Sequence, residues 1–314
     1  MNTLYYGDNL EILREYIPDE SVDLIYLDPP FNSKKAYNLI RYTPNAKYPP
    51  CLIKAFDDTW HCSDESEEIL HELTKADYPP ELVRMLDSFK SYLGTIDMMA
   101  YLVMMAIRLY ELHRVLKPTG SIYLHCDPTA SHYLKLLSDR IFDVKNFRNE
   151  IIWHYRKWPT GKYQFQRNHD IILYYTKSPK NKHTFNQLYM ERAASTLKRF
   201  GNAKIISGHD NNGKRVPSKT ADYESEGVRM DDVWDIGRVP PIKQLFPTQK
   251  PIKLLETIIT ASSNEDDLVL DPFCGCGTTV VAAEKLARNW IGIDITIDAV
   301  NLIETRLCNH FPGI

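Results

Sequence analysis

Residues 268–294 constrain the fold more than any other stretch of this chain. Leu268-Val269-Leu270-Asp271 is an apolar strand running into the turn Pro272-Phe273-Cys274-Gly275-Cys276-Gly277-Thr278. A helical segment from Thr279 to Leu286 follows, and then a second strand, Trp290-Ile291-Gly292-Ile293-Asp294, ending in an acid. Short apolar runs bounded by glycine and proline read as buried strands. Strand, glycine turn, helix and strand make a βαβ unit, and such units build a sheet whose ligands sit at the carboxyl ends of the strands. Asp294 lies 17 residues beyond Gly277, near the spacing of a carboxylate that holds ribose hydroxyls. The turn has Gly275-x-Gly277 but no third glycine in the dinucleotide register. Asp271 would stand beside the ligand, where a carboxylate repels a pyrophosphate but tolerates a cationic sulfonium. These residues favour S-adenosylmethionine over NAD.

A second unit opens the chain. Leu4-Tyr5-Tyr6 ends in Gly7-Asp8, Asn9 to Tyr16 is helical, and Val22 to Leu27 is a buried strand closed by Asp28-Pro29-Pro30-Phe31. Asp8 is equally suited to cap the helix and to meet a ligand. Two prolines cannot continue a sheet, so they hold a carboxylate, a carbonyl and an aromatic ring on a stiff turn. Asp28 and the Pro29 carbonyl can each accept one hydrogen of an exocyclic amine while Phe31 stacks on the base. Taken alone, the four residues read rather as a strand-ending turn with an Asp cap and a core Phe.

Between these ends, Asn32 to Gly94 reads as long, polar and irregular, with Asn32 to Lys35 placed to cover a substrate. Met98 to Leu116 is an apolar helix whose Met98, Met99, Met104 and Met105 are core, and Lys117 to Gly120 ends it. Ser121 to Cys126 is a strand and Thr129 to Phe142 a helix; Glu150–Tyr155 and Asp170–Tyr175 can pair antiparallel. Residues 177–240 carry many breakers and little periodicity. From Arg156 to Arg238 there are 16 Lys and Arg against 9 Asp and Glu, in a chain of net charge −3, which fits a local patch for a polyanion or a solvated loop surface. Aromatics there are expected chiefly to pack a small core, with base stacking as the alternative. Ile252 to Ser262 is the next helix, and a last one ends near Leu307.

With 43% hydrophobic and 25% charged residues, 314 residues suit one large soluble domain or a domain with an insert. No apolar run approaches the roughly 20 residues that cross a bilayer, and no secretory signal opens the chain. Six cysteines without CxxC spacing predict reduced thiols, no metal site and a cytoplasmic protein.

Asp28-Pro29-Pro30-Phe31 resembles the catalytic (D/N/S)PP(Y/F/W) motif of amino-DNA methyltransferases, and Asp271 to Thr279 resembles their cofactor motif DPFxGxGTT. Phe246-Pro247-Thr248-Gln249-Lys250-Pro251 and Gly7-Asp8 are similar to two further shared blocks. Catalytic motif first and cofactor motif last is the β-class order. The resemblance implies an α/β fold, a Rossmann-like class I S-adenosylmethionine-dependent methyltransferase sheet with circularly permuted motif order and a loop-rich target-recognition insert. It divides the chain into a catalytic half (1–156), the insert (157–240) and a cofactor half (241–314). It implies a cofactor pocket of Asp8, Thr248, Gln249, Lys250, Asp271, Phe273, Gly275, Gly277, Thr278 and Asp294, with Asp8 near the adenine, Asp294 on the ribose and Lys250 at the methionine end. DNA contacts are expected from Arg156, Lys157, Lys162, Arg167, Lys198, Arg199, Lys214 and Arg215. Double-stranded DNA is the implied partner, with room for a homodimer and a separately acting cognate endonuclease. Asp at the first motif position with Phe at the fourth points to adenine N6, with cytosine N4 as the alternative, and an RNA methyltransferase or an idle DNA-binding protein further off. Cytosine C5 chemistry needs a Pro-Cys-Gln nucleophile, which Pro50-Cys51-Leu52 does not supply.

Overall fold

The computed structural model describes residues 2–30, 35–41, 51–58, 78–94, 97–158, 162–179, 182–240, 242, 244–246 and 248–313; for 35–41, 51–58, 207, 215 and 217–224 it describes the backbone alone. Thr3–Tyr6 (β1), Asn9–Tyr16 (α1) and Val22–Leu27 (β2) make the first βαβ unit. Lys35–Arg41 (β3) and Cys51–Asp58 (β4) pair antiparallel, and Pro80–Leu93 (α2) and Asp97–Val115 (α3) follow. Leu116–Cys126 (β5), Ser131–Phe142 (α4), Phe147–His154 (β6) and His169–Thr176 (β7) come next. Tyr189–Met190 (β8), Ala194–Phe200 (α5), Ala203–His209 (β9), Arg215–Glu224 (β10) and Val228–Arg229 (β11) form a unit of their own, residues 186–232. Val233–Asp235 (β12), Ile252–Ser262 (α6), Leu268–Asp271 (β13), Thr278–Lys285 (α7), Asn289–Asp294 (β14) and Ile297–His310 (α8) complete the chain.

The larger unit, residues 1–185 and 233–314, is built on an eight-stranded sheet of order β1-β14-β13-β2-β5-β7-β6-β12. Strands β1, β14, β13, β2 and β5 are parallel neighbours, and β7 runs antiparallel between β5 and β6. The expected antiparallel pairing of the 150s with the 170s is present, with Ile152 opposite Ile171. Central β2 is apolar on both faces because helices cover both; Val22, Leu24, Ile25 and Leu27 are fully buried. Helix α3 is buried almost all round, with Met99, Met104 and Met105 in the core and Met98 packed against it. No helix among the described residues is long and apolar enough to cross a membrane.

Three expectations change. Residues 32–94 are not simply irregular: β3 and β4 form a ladder, and α2 begins with Pro80 at its first turn and buries Leu82 and Leu86, one helical turn apart. The separate unit starts at 186 rather than 157, because 169–176 is spent on the main sheet. Residues 177–240 do carry structure, an antiparallel β9–β10 ladder and the short helix α5. Asn32 to Lys34 of the expected cover lie outside the described residues.

Between β2 and β5 the register slips. Leu116 pairs with Val22 and Ser121 with Leu24, so Lys117–Gly120 bulge outward. Asp23 pins the bulge, accepting from Lys117 Nζ at 2.7 Å and from the Leu268 amide at 2.9 Å. A Cβ on Gly120 would lie 2.5 Å from Leu116 Cδ1 and 2.9 Å from the Asp23 carbonyl oxygen. Gly120→Ala is expected to destabilise the chain by about 1–3 kcal/mol through overpacking, read as a lower urea midpoint at unchanged slope. A midpoint equal to the parent's would mean that the bulge is slack.

Candidate active site

Parallel strands place their carboxyl ends along one edge, and there β1, β2, β13 and β14 surround a cavity of about 510 Å³. Asp28, Pro29 and Pro30 line it after β2; Phe31 lies outside the described residues. Of the expected cofactor residues, Asp8, Thr248, Gln249, Lys250, Asp271, Phe273, Gly275, Thr278 and Asp294 share the same walls. Gly277 is not among the lining residues. It takes a left-handed conformation (φ 71°) against α8, where a Cβ would meet Ile303 Cγ1 at 2.7 Å.

Asp8 caps α1 and also lines the cavity. Its Oδ1 accepts the Leu10 amide at 2.7 Å, capping α1, and its Oδ2 accepts from Arg108 Nη2 at 2.8 Å while the residue faces the cavity. Arg108 also donates Nε–H to Asn9 Oδ1 at 2.6 Å, and Asn9 Nδ2 donates to the Pro272 carbonyl at 2.8 Å. Sequence reasoning missed Asn9 and Arg108. The signal was there: Arg108 is the one charged residue between Asp97 and Glu111 on an apolar helix, and a buried charge demands partners.

Asp271 fastens the glycine turn. Oδ1 accepts the Phe273 amide at 3.0 Å and Oδ2 the Thr279 hydroxyl. Burial pushes its carboxyl up to about 7, against those hydrogen bonds, with Asp28 and Asp294 adding to the rise. Asp294 accepts the Gly275 amide at 2.8 Å on one oxygen and the Thr296 amide and hydroxyl at 2.9 and 2.6 Å on the other. Burial raises its carboxyl too. A carboxylate has about four acceptor positions, so Asp294 keeps capacity for a ligand hydroxyl.

At Asp28 the structure adds something the motifs did not show. Lys250, expected at the methionine end, forms an ion pair with Asp28 Oδ2. Asp28 Oδ1 is buried and accepts no hydrogen bond among the described residues.

The expected DNA contacts divide between the two units. Arg156, Lys157, Lys162 and Arg167 are exposed on the β6–β7 connection, which leaves the same carboxyl edge as Asp28; Lys198, Arg199 and Lys214 are exposed in 186–232, where Arg215 opens β10. Basic excess resides in the first group. Residues 156–185 hold 7 Lys and Arg and 1 acid, whereas 186–232 hold 8 and 7. Trp158, Tyr163 and Phe165 do not pack a core as expected; each is at least 89% exposed among these cations.

A family model for DNA methylases of the N6/N4 type matches residues 22–305. The chain belongs to that DNA methylase family. Its relatives include the type II methyltransferases M.HpaI of Haemophilus parainfluenzae (34% identical; 65% of this chain, 59% of the relative) and M.BamHI of Bacillus amyloliquefaciens (30%; 98% and 57%). The DNA adenine methyltransferase YhdJ of Escherichia coli is 28% identical over 99% of this chain and 85% of its own. The chain thus spans under two thirds of the length of the first two. A Thermus thermophilus protein, solved in complex with S-adenosyl-L-methionine, has the same fold at TM-score 0.54 and 17% identity, over 100% and 96% of the two chains.

Asp271 supplies a pH test. Its folded value of about 7 lies above the ordinary value of 3.8, so the stability it confers is complete below about 4 and is lost as pH rises through about 7. Relative to Asp271→Asn, the parent chain should lose a few kcal/mol of unfolding free energy between those limits. Paired urea melts at pH 5 and pH 8 check this; a pH-independent difference would show that Asp271 is ionised throughout.

Proposed function

We propose that this chain transfers a methyl group from S-adenosylmethionine to the N6 amine of an adenine swung out of duplex DNA. The observation that carries the reading is the shared cavity: the Asp28-Pro29-Pro30 turn opens into the same space as the glycine turn and Asp294. Its size falls within the range of small-ligand sites, roughly 300–1,000 Å³. The wall suits a cation. Asp8, Asp271 and Asp294 face the cavity, and the two cations beside them, Arg108 and Lys250, are engaged by Asp8 and Asp28. A pyrophosphate would meet a net acidic surface, whereas a sulfonium would be favoured there. Asp294 and Asp8 would hold the adenosine, with the Thr248–Lys250 segment and the glycine turn around the remainder; when bound, the cofactor supplies an electrophilic methyl carbon.

The protein's share of the chemistry lies at Asp28. An exocyclic amine is a weak nucleophile because its lone pair is delocalised into the ring. Accepting its hydrogens at Asp28 Oδ1 and the Pro29 carbonyl pyramidalises the nitrogen and frees that pair for in-line attack. Oδ1, which accepts no hydrogen bond among the described residues, is the acceptor such an amine would fill. The base must leave the duplex to reach it, and no covalent enzyme intermediate is required. Phe31 is assigned the stacking role, and the exposed cations and aromatics of residues 156–167 the grip on DNA. The name of YhdJ and the Asp-Pro-Pro-Phe motif both favour adenine over cytosine N4. A homodimer and a separate cognate endonuclease are compatible with this reading.

Asp28→Ala is expected to lower methyl transfer to duplex DNA by about 10³-fold, with S-adenosylmethionine binding largely intact by calorimetry. Retained transfer would sink the mechanism. Expression in a host without adenine methylation, followed by modification-sensitive genome sequencing, should reveal methyladenine at one short motif. N4-methylcytosine would overturn the base assignment while keeping the chemistry, and an unmarked genome would turn attention to RNA or an inactive chain.

A further inference from the structure

Behind Asp28 lies a second polar cluster that the proposed chemistry leaves unused. His125, on β5, is fully buried, and its Nδ1 stands 3.8 Å from Asp28 Oδ1, the oxygen without a hydrogen-bond partner among the described residues. The Tyr26 hydroxyl lies 3.0 Å from the same nitrogen. On the far side, Nε2 faces Asp170 Oδ2 at 3.4 Å, and the Tyr155 hydroxyl donates to Asp170 Oδ1 at 3.0 Å. Trp153 packs edge-on against the imidazole, ring centres 5.5 Å apart, and fixes its plane. Burial alone would raise the Asp170 carboxyl, yet the His125 bond and charge, with Lys250 and Tyr155, hold it below its ordinary value.

A histidine in a core needs one or two partners, and Tyr26 and Asp170 would satisfy it. That leaves unexplained why a buried acid, itself expensive to bury, stands behind it, and why the chain of groups ends at Asp28. Asp28 must present one oxygen to the incoming amine in a narrow orientation, and Lys250 grips only the other oxygen.

Building on the methyl-transfer reading above, we propose that His125, braced by Asp170 and Tyr155, is the positioning residue that fixes the rotation of the Asp28 carboxylate. Lys250 holds Oδ2 from the cofactor side, and His125 sets Oδ1 from the sheet. The brace is anchored at the base of the β6–β7 connection, where the Tyr155 amide donates to the Asn168 carbonyl at 2.8 Å. The loop assigned to grip DNA and the carboxylate assigned to grip the base therefore share one support.

The test uses the full chain in single-turnover methyl transfer to duplex DNA carrying the unmethylated form of the motif that the chain marks, with cofactor and DNA dissociation constants measured alongside. His125→Ala is expected to slow transfer about 10²-fold through misplacement of the acceptor, with both dissociation constants unchanged. His125→Asn, whose amide nitrogen can stand where Nδ1 stood, should recover part of the loss. Asp170→Asn should fall between the parent and His125→Ala. The double variant His125→Ala/Asp170→Asn should be no slower than His125→Ala, because both act through one oxygen. If His125→Ala does not fold, Asp170→Asn and Tyr155→Phe decide the matter by the same measurements. Parent-like rates in these variants, strictly additive losses, or losses confined to cofactor or DNA affinity would overturn the proposal. A parent chain that transfers no methyl group overturns the functional reading and this inference with it; an active parent with indifferent variants overturns this inference alone.

Discussion

One buried guanidinium ties the cavity together. Arg108, on the core helix Asp97–Val115, reaches Asp8 after the first strand and Asn9 at the start of the first helix, and Asn9 continues the link to the Pro272 carbonyl of the glycine turn. Three elements far apart in the chain thus meet through one side chain that is itself 7% exposed. A buried charge is tolerated only when it is paired and hydrogen-bonded, so each partner stabilises the others, and loss of any one strands the rest. The β1–α1 turn and the β13–α7 turn are held at one distance by this link, and that distance sets the cavity between them.

Electrostatics around that cavity is a balance of acids restrained from charging and acids restrained by cations. Asp271 and Asp294 are buried and shifted upward, yet each spends its oxygens on the turns it closes. Asp8 and Asp28 are each matched to one cation. Such a wall keeps a cationic ligand attractive without leaving a bare carboxylate in a low dielectric. It also explains why the carboxylate beside the glycine turn is compatible with a folded chain at all.

Much of this was legible locally. Both βαβ units, the parallel strands and their acidic ends follow from patterns contained within a dozen residues, and Asp271, Phe273, Gly275, Thr278 and Asp294 line one cavity around the glycine turn. What was not legible depends on tertiary distance. Lys250 meets Asp28 across 222 positions, and no local pattern could pair them. Arg108 and His125 sat inside apolar segments and were absorbed into the core reading. Helix Pro80–Leu93 was hidden by the long polar stretch before it, although Leu82, Leu86, Phe89 and Leu93 keep a helical spacing toward the core. The basic bias was real but unevenly spread: counting Arg156 to Arg238 as one stretch concealed that most of its excess lies before residue 186.

The order of strands has a further consequence for how the protein is made. Strand Leu268–Asp271 sits between Val22–Leu27 and Asn289–Asp294, so a central slot of the sheet is filled by a strand that leaves the ribosome long after Val22–Leu27. Until then Val22–Leu27 has a raw edge beside its only early neighbour, Leu116–Cys126. Closing a loop of that length is slow, and an unpaired apolar edge invites association with other chains. The nascent polypeptide therefore carries a half-built sheet until Leu268–Asp271 has been made, and its demand for chaperones should exceed that of a sheet with the same strands in unpermuted order.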